Sequence, residues 1–150
     1  MKVVIQRVLS SSVSVQGEVV GAIGPGMNIL VGITHDDSEE DIEWLCKKIV
    51  NLRIFDDESG VMNRSILDTG GDILVISQFT LMASTKKGNR PSWIQAAPPE
   101  TSIPLYQSFL QRLELYLQKK VECGIFGADM RVQIENNGPV TLIIDSKNKV

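Results

Sequence analysis

Residues 3–8 alternate apolar and polar side chains, the period of a half-buried strand. Residues 11–15 and 18–23 are two further β-prone runs, and Gln16-Gly17 between them reads as a hairpin turn. Gly24-Pro25-Gly26 is a strong turn, and Ile29–Ile33 after it is short and apolar enough for a buried strand. The period then lengthens. Ile42, Leu45, Cys46, Ile49 and Val50 recur at helical spacing and form one apolar face. Ser38 is placed to cap that helix, and Glu39, Glu40 and Asp41 sit at the positive end of its dipole. Arg53–Phe55 predicts a short strand, Asp56–Gly60 a turn, and Asp72–Ile76 a second strongly apolar strand. Residues 84–100 contain three prolines and no period, which predicts a long ordered loop. A second helix is expected from Thr101 or Ser102, with Pro104 in its first turn. Its buried stripe is Leu105, Phe109, Leu113 and Leu117, joined by Tyr106, Leu110 and Tyr116. Met130, Val132 and Ile134 share one face of a strand, and residues 140–144 form a last strand after Gly138-Pro139. Strands, helix, strands, helix, strands predict sheets with the helices packed on one side.

Composition narrows the class. The chain has 150 residues, 43% of them hydrophobic and 22% charged, ordinary values for one globular domain spanning 1–150. Its wholly apolar runs are a few residues long, too short for a bilayer span. Polar residues interrupt the apolar stretch of Met1–Arg7, which reads as a strand and not as a signal peptide; a cytoplasmic location is expected. A net charge of −3 makes the chain, by charge alone, a poor candidate for broad nucleic-acid binding, although a small basic patch on an acidic protein is compatible with it; DNA is not an expected partner. Cys46 and Cys123 lack Cys-x-x-Cys spacing and read as small buried hydrophobes. His35 is the only histidine, so any histidine triad depends on one loop residue and no multi-histidine metal site exists. Asp56–Gly60 lacks the twelve-residue ligand spacing of a calcium loop and reads as a solvated turn. Neither a metal nor a cofactor is expected.

Three segments can carry chemistry. Ser77-Gln78-Phe79-Thr80-Leu81 follows the apolar strand and offers hydroxyls, an amide and backbone N–H groups, the parts of an oxyanion hole. Its alternative is a continuing strand, with Phe79 and Leu81 inward and Gln78 and Thr80 facing solvent. Asn136-Asn137-Gly138-Pro139-Val140-Thr141 holds an Asn-Gly pair, normally a hairpin signal, but Pro139 fixes its own φ and restricts Gly138. A plain turn with a trans peptide is the default there. Lys86-Lys87-Gly88-Asn89-Arg90-Pro91-Ser92-Trp93 is the densest basic cluster and carries an aromatic; it suits phosphates and a base, or else is a solvated loop. No Gly-x-Ser-x-Gly elbow, phosphate-binding loop, Gly-x-Gly-x-x-Gly or His-Glu-x-x-His is present.

Taken together, these segments are similar to the motifs of the D-aminoacyl-tRNA deacylases, also called D-tyrosyl-tRNA deacylases. Ser77–Leu81 matches the first family motif unchanged, and Gly138-Pro139-Val140-Thr141 matches the second. Connecting blocks match in order, among them Ile5-Gln6-Arg7-Val8, Asn51–Phe55, Met62–Ser65, Ala96–Glu100 and Phe126–Met130. The resemblance implies an α/β fold: mostly antiparallel sheets in a barrel-like two-sheet core, with two main helices on one side in α/β/β layers. It also implies a homodimer with pockets at the subunit interface, and a cis Gly138–Pro139 peptide entering the partner's pocket. Ser77, Gln78, Phe79 and Thr80 would be catalytic, and Gly138, Pro139, Arg7 and Leu81 would bind substrate. Arg7 would orient the proline loop, a charged donor on a backbone carbonyl. Trp93 stands where the family usually has phenylalanine and Asn89 where a basic residue is common, which lowers the segment's charge.

The reaction so implied is hydrolysis of the ester between a D-amino acid and the terminal ribose of tRNA. A wall of backbone carbonyls accepts the α-hydrogen of a D-residue and collides with an L side chain. Glycine has no side chain to collide, so glycine mischarged on alanine tRNA is expected to enter. Thr80 as nucleophile would need a base, and none lies near it in sequence; the ribose 2′-hydroxyl is the preferred source of assistance. A small-molecule serine or threonine esterase and a non-catalytic RNA-binding dimer are the competing classes.

Overall fold

The computed structural model describes residues 1–150. Its elements are β1 (Lys2–Val15), β2 (Glu18–Ile23), β3 (Gly26–Gly32), α1 (Glu39–Asn51), β4 (Phe55–Asp56), β5 (Met62–Arg64), α2 (Ile66–Thr69), β6 (Asp72–Ser77), α3 (Pro99–Leu117), β7 (Glu122–Cys123) and β8 (Arg131–Asp145). β1 pairs antiparallel with β2, β3 and β8, while β6 lies parallel between β3 and β7. β4 and β5 form a separate small sheet. The α/β architecture expected from the sequence is observed: a nearly closed, barrel-like main sheet with α1 and α3 against one face.

Period-two alternation assigns each strand residue to a layer. Val3, Ile5, Ile29, Val31, Ile73 and Val75 pack toward the helices, meeting Ile42, Leu45 and Ile49 of α1 and Phe109 and Leu113 of α3. Leu74 and Ile76 point to the opposite side, into a second cluster with Val8, Val13 and Ile23. β6 is therefore covered on both faces, which is why Ile73–Ile76 reads as an unbroken apolar run. Each such side chain contributes roughly 1.5–3 kcal/mol on burial.

Three local readings change, and the predicted hairpin at Gln16-Gly17 holds. Residues 3–8 and 11–15 form one strand, because the chain between Val8 and Ser10 is a register shift in the ladder with β8 and not a gap between strands. Gln16 and Gly17 both take positive φ, 51° and 82°, as a tight hairpin of matching twist requires. Helix α3 starts at Pro99, earlier than Thr101, since extended Pro98 caps it and its carbonyl accepts the amides of Thr101 and Ser102 at 2.9 Å each. Pro99 takes the first helical position, where no N–H is needed, and Pro104 falls past the first turn. Finally, 131–145 is one strand: Asn136 lies opposite Val8 and Thr141 opposite Gln6, so residues 137–140 loop out against Arg7 alone. No two-residue hairpin turn forms there.

A buried polar network ties the chain's two ends to the start of α1. The Met1 ammonium pairs with Asp37 and donates to Ser146 Oγ at 2.9 Å. Ser146 Oγ donates to Asp41 Oδ1 at 2.6 Å, and Lys147 Nζ donates to Asp41 Oδ2 at 2.9 Å. Asp41 also accepts the Ser38 amide at 2.9 Å, reaching back over the helix start. Burial alone would raise the Asp41 pKa, but the Ser146 and Lys147 donors outweigh it and hold it at about 2. Asp41 therefore stabilises the fold fully above about pH 4, and that contribution disappears as pH falls toward 2. Thermal melts should show Asp41→Asn less stable than wild type by on the order of 1–2 kcal/mol at pH 6, with the gap closing near pH 2. A gap that is constant with pH contradicts this role.

Candidate active site

The first motif sits where β6 leaves the sheet. The Gln78 amide makes the last ladder bond, 2.7 Å to the Val31 carbonyl, and Phe79–Met82 then turns as a single 3-10 turn. Leu81 N donates to Gln78 O at 3.2 Å and Ala83 N to Thr80 O at 3.1 Å. The continuing-strand alternative is thus excluded: Phe79 is 56% exposed, and Met82 takes the buried position. The turn fits closely against β3. A Cβ on Gly32 would come within 3.0 Å of both the Gln78 carbonyl and Leu81 Cβ. The amides of Phe79 and Thr80 open the turn and have no carbonyl within it to bond. The Gln78 side-chain amide donates to Thr80 Oγ1, which leaves the threonine proton free for another acceptor.

A cavity of about 450 Å³ opens beside this turn, with walls that include Ser77, Gln78, Phe79, Tyr106, Phe126 and Met130. Only one lining residue, Tyr106, carries an ionisable group; no carboxylate, histidine, lysine or arginine contributes to the wall. Tyr106 is buried, and its hydroxyl has no hydrogen-bond partner. Burial, reinforced by the neighbouring Cys123 thiol, pushes its pKa well above the ordinary tyrosine value. It therefore stays a neutral O–H donor beside the cavity. Helical spacing places Tyr106 only in the buried stripe of α3; the signal for more is a hydroxyl among leucines and phenylalanines, which must find a partner. His35 lies outside this wall, with Nε2 2.8 Å from the Ile94 carbonyl. Cys46 is buried in the core, whereas Cys123 is half-buried.

The second motif is the loop opposite Arg7. Its Gly138–Pro139 peptide is cis, and both residues are exposed. Arg7, 8% exposed, holds the loop from beneath: Nε donates to Asn137 O at 3.1 Å and Nη1 to Ile54 O at 2.7 Å. Asp56 accepts from the same Nη1 at 3.3 Å. Asn136 braces the loop internally, accepting the Val140 amide at 3.1 Å and donating to Thr141 Oγ1 at 2.9 Å. No residue of 136–141 lines the cavity, so one chain does not bring the two motifs together. The third segment does join the first. Paired bonds of 2.9 Å between Ser84 and Ser92 close its base, and the Trp93 ring meets Phe79 edge-on at 5.3 Å.

A mixed α/β scaffold presents hydroxyl, amide and backbone donors at a strand end, beside a cavity whose wall lacks an acid–base pair. The chain belongs to the D-Tyr-tRNA(Tyr) deacylase family, whose model matches residues 4–145. It is 63% identical over 149 residues to a D-aminoacyl-tRNA deacylase of Bacteroides thetaiotaomicron, covering 99% of each chain. One from Dechloromonas aromatica is 57% identical over 147 residues, 98% of each. A solved structure described as the c-Myc DNA Unwinding Element Binding Protein superposes with TM-score 0.92 at 43% identity, covering 97% of this chain and 98% of that one. A probable eukaryotic D-amino acid tRNA deacylase shares the fold at TM-score 0.83 and 17% identity, covering 95% and 97%.

Gly138 has φ +127°, and a Cβ there would lie 2.8 Å from Arg7 Nη2 and 3.0 Å from Val140 Cγ2. Gly138→Ala should therefore displace the loop from Arg7 and destabilise the chain by about 1–3 kcal/mol in urea unfolding. Unchanged stability means the loop has room the geometry denies.

Proposed function

We propose that this chain hydrolyses the ester joining a D-amino acid, such as D-tyrosine, to the terminal ribose of tRNA, releasing free D-amino acid and tRNA. Residues 1–150 act as one domain in this reading, in the cytoplasm and without a metal or cofactor. The cavity lined by Ser77, Gln78 and Phe79, with Thr80 and Leu81 just outside its wall, receives the aminoacyl-adenosine end. Its lack of any carboxylate, histidine or amine is the observation that carries the mechanism. Water attacks the ester carbonyl, and the backbone amides of Phe79 and Thr80, assisted by Ser77 and Gln78, stabilise the oxyanion. The carbon–oxygen bond to the ribose then breaks, and the ribose oxygen takes up the proton. With no protein base at hand, the ribose 2′-hydroxyl polarises the water, and Thr80 is not the nucleophile. The contact from Gln78 supports this, since it is donated to Thr80 Oγ1 and does not remove its proton.

Chirality is read by the second motif. The chain acts as a homodimer in which Gly138 and Pro139 of one protomer reach the pocket of the other, beside Leu81. Their separation from the cavity within a single chain supports an arrangement completed by a partner copy. Arg7 fixes the carbonyls, which admit an α-hydrogen and reject an L side chain by overlap. Glycine carried on alanine tRNA passes the same filter.

Purified protein should hydrolyse D-tyrosyl-tRNA and spare L-tyrosyl-tRNA in parallel assays. Equal hydrolysis of both removes the carbonyl wall, and hydrolysis of neither removes the proposed activity. Thr80→Ala, which keeps the backbone amide, should retain turnover to within about tenfold, a smaller loss than removing an oxyanion donor. Abolished turnover in a folded variant contradicts the non-nucleophilic role of Thr80.

A further inference from the structure

We propose that Lys86–Trp93, with Phe79, is a second RNA contact that holds the single-stranded 3′ acceptor strand of tRNA upstream of its terminal nucleotide. The proposal rests on the tRNA-ester reading of the cavity and adds to it. From Ile73 to Pro99 the sequence contains no aspartate or glutamate, so Lys86, Lys87 and Arg90 form an unopposed cationic patch on a chain of net charge −3. All three are exposed, and no carboxylate forms an ion pair with them.

Aromatic surface adjoins the charge. Phe79 is 56%, Trp93 42% and Ile94 79% exposed, although each is apolar and nothing in the chain covers them. The edge-on packing of Trp93 on Phe79 makes this surface continuous with the cavity, because Phe79 belongs to both. The patch is also held in place. Ser84 and Ser92 close its neck, Thr34 Oγ1 donates to Gln95 O at 2.6 Å, and Ala97 N donates to Ile33 O at 2.9 Å. Exposed cations on a loop anchored at its base, next in sequence to exposed planar rings, match an unpaired strand, whose phosphates meet the cations and whose bases stack on the rings. A duplex hides its base faces and offers nothing to Trp93. Phe79 borders both the cavity and the patch, which offers a strand whose last nucleotide lies in the cavity a path along Trp93.

Binding of deacylated tRNA, measured by fluorescence anisotropy, tests this independently of ester cleavage. Wild type should bind tRNA with an intact single-stranded end at least tenfold more tightly than the triple variant Lys86→Glu, Lys87→Glu, Arg90→Glu. Trp93→Ala should weaken binding by about fivefold or more, the loss of one stacked base. Each phosphate contact removed should lower the slope of log affinity against log salt by about 0.7. The proposal is overturned if the triple variant binds as wild type does. Equal binding of tRNA trimmed of its single-stranded end, or tighter binding of duplex DNA, also overturns it. Loss of D-tyrosyl-tRNA hydrolysis in the wild type would instead strike the activity itself and leave these binding results standing.

Discussion

β1 is hydrogen-bonded along both edges, and the positions of both motifs follow from that constraint. On one edge its first half pairs with β3 and its second half with β2; on the other edge β8 runs nearly its full length. β3 in turn carries β6 in parallel register, so the end of β6 at Ser77 is located by a ladder that begins at β1. On the opposite edge, β8 can keep its register at both ends only by looping out 137–140 against Arg7. The guanidinium occupies that gap and bonds the Asn137 carbonyl. Shifting β1 by one residue would move every core side chain to the wrong face and remove Arg7 from the loop.

The ion pairs of the chain lie outside the cavity wall. Carboxylates and cations are paired around Asp37, Asp41 and Lys147, where they join the chain termini to α1, and again along α1 and α3 through Glu43 and Arg112. The cavity is left with amides, hydroxyls and apolar walls. Such a site stabilises developing charge with fixed dipoles, which need no proton transfer of their own and little rearrangement as the reaction proceeds.

Most of the layering was legible in the sequence, because burial on one or two faces writes itself into the period. Ile73–Ile76 announced a strongly apolar strand, and Ile42 to Val50 a one-faced helix. The motifs were legible as residues but not as shapes. Alternation through Ser77–Leu81 suits a strand as well as a 3-10 turn; the choice depends on Gly32, forty-odd positions earlier in the chain, whose missing side chain admits the turn. The loop at 137–140 follows from pairing with β1, which no local pattern encodes. Tyr106 was hidden for a similar reason, since its helical position marks it as core and only the assembled wall leaves its hydroxyl without a partner.

Catalysis by position, with the substrate supplying the assisting hydroxyl, is tested most directly by removing that hydroxyl. Single-turnover hydrolysis of D-tyrosyl-tRNA ending in adenosine should be compared with the same substrate ending in 2′-deoxyadenosine. The deoxy substrate should react at least about 10²-fold more slowly, the size of a lost acid–base contribution. Equal rates would mean that the protein activates water with a group of its own, contradicting a site that works by positioning alone.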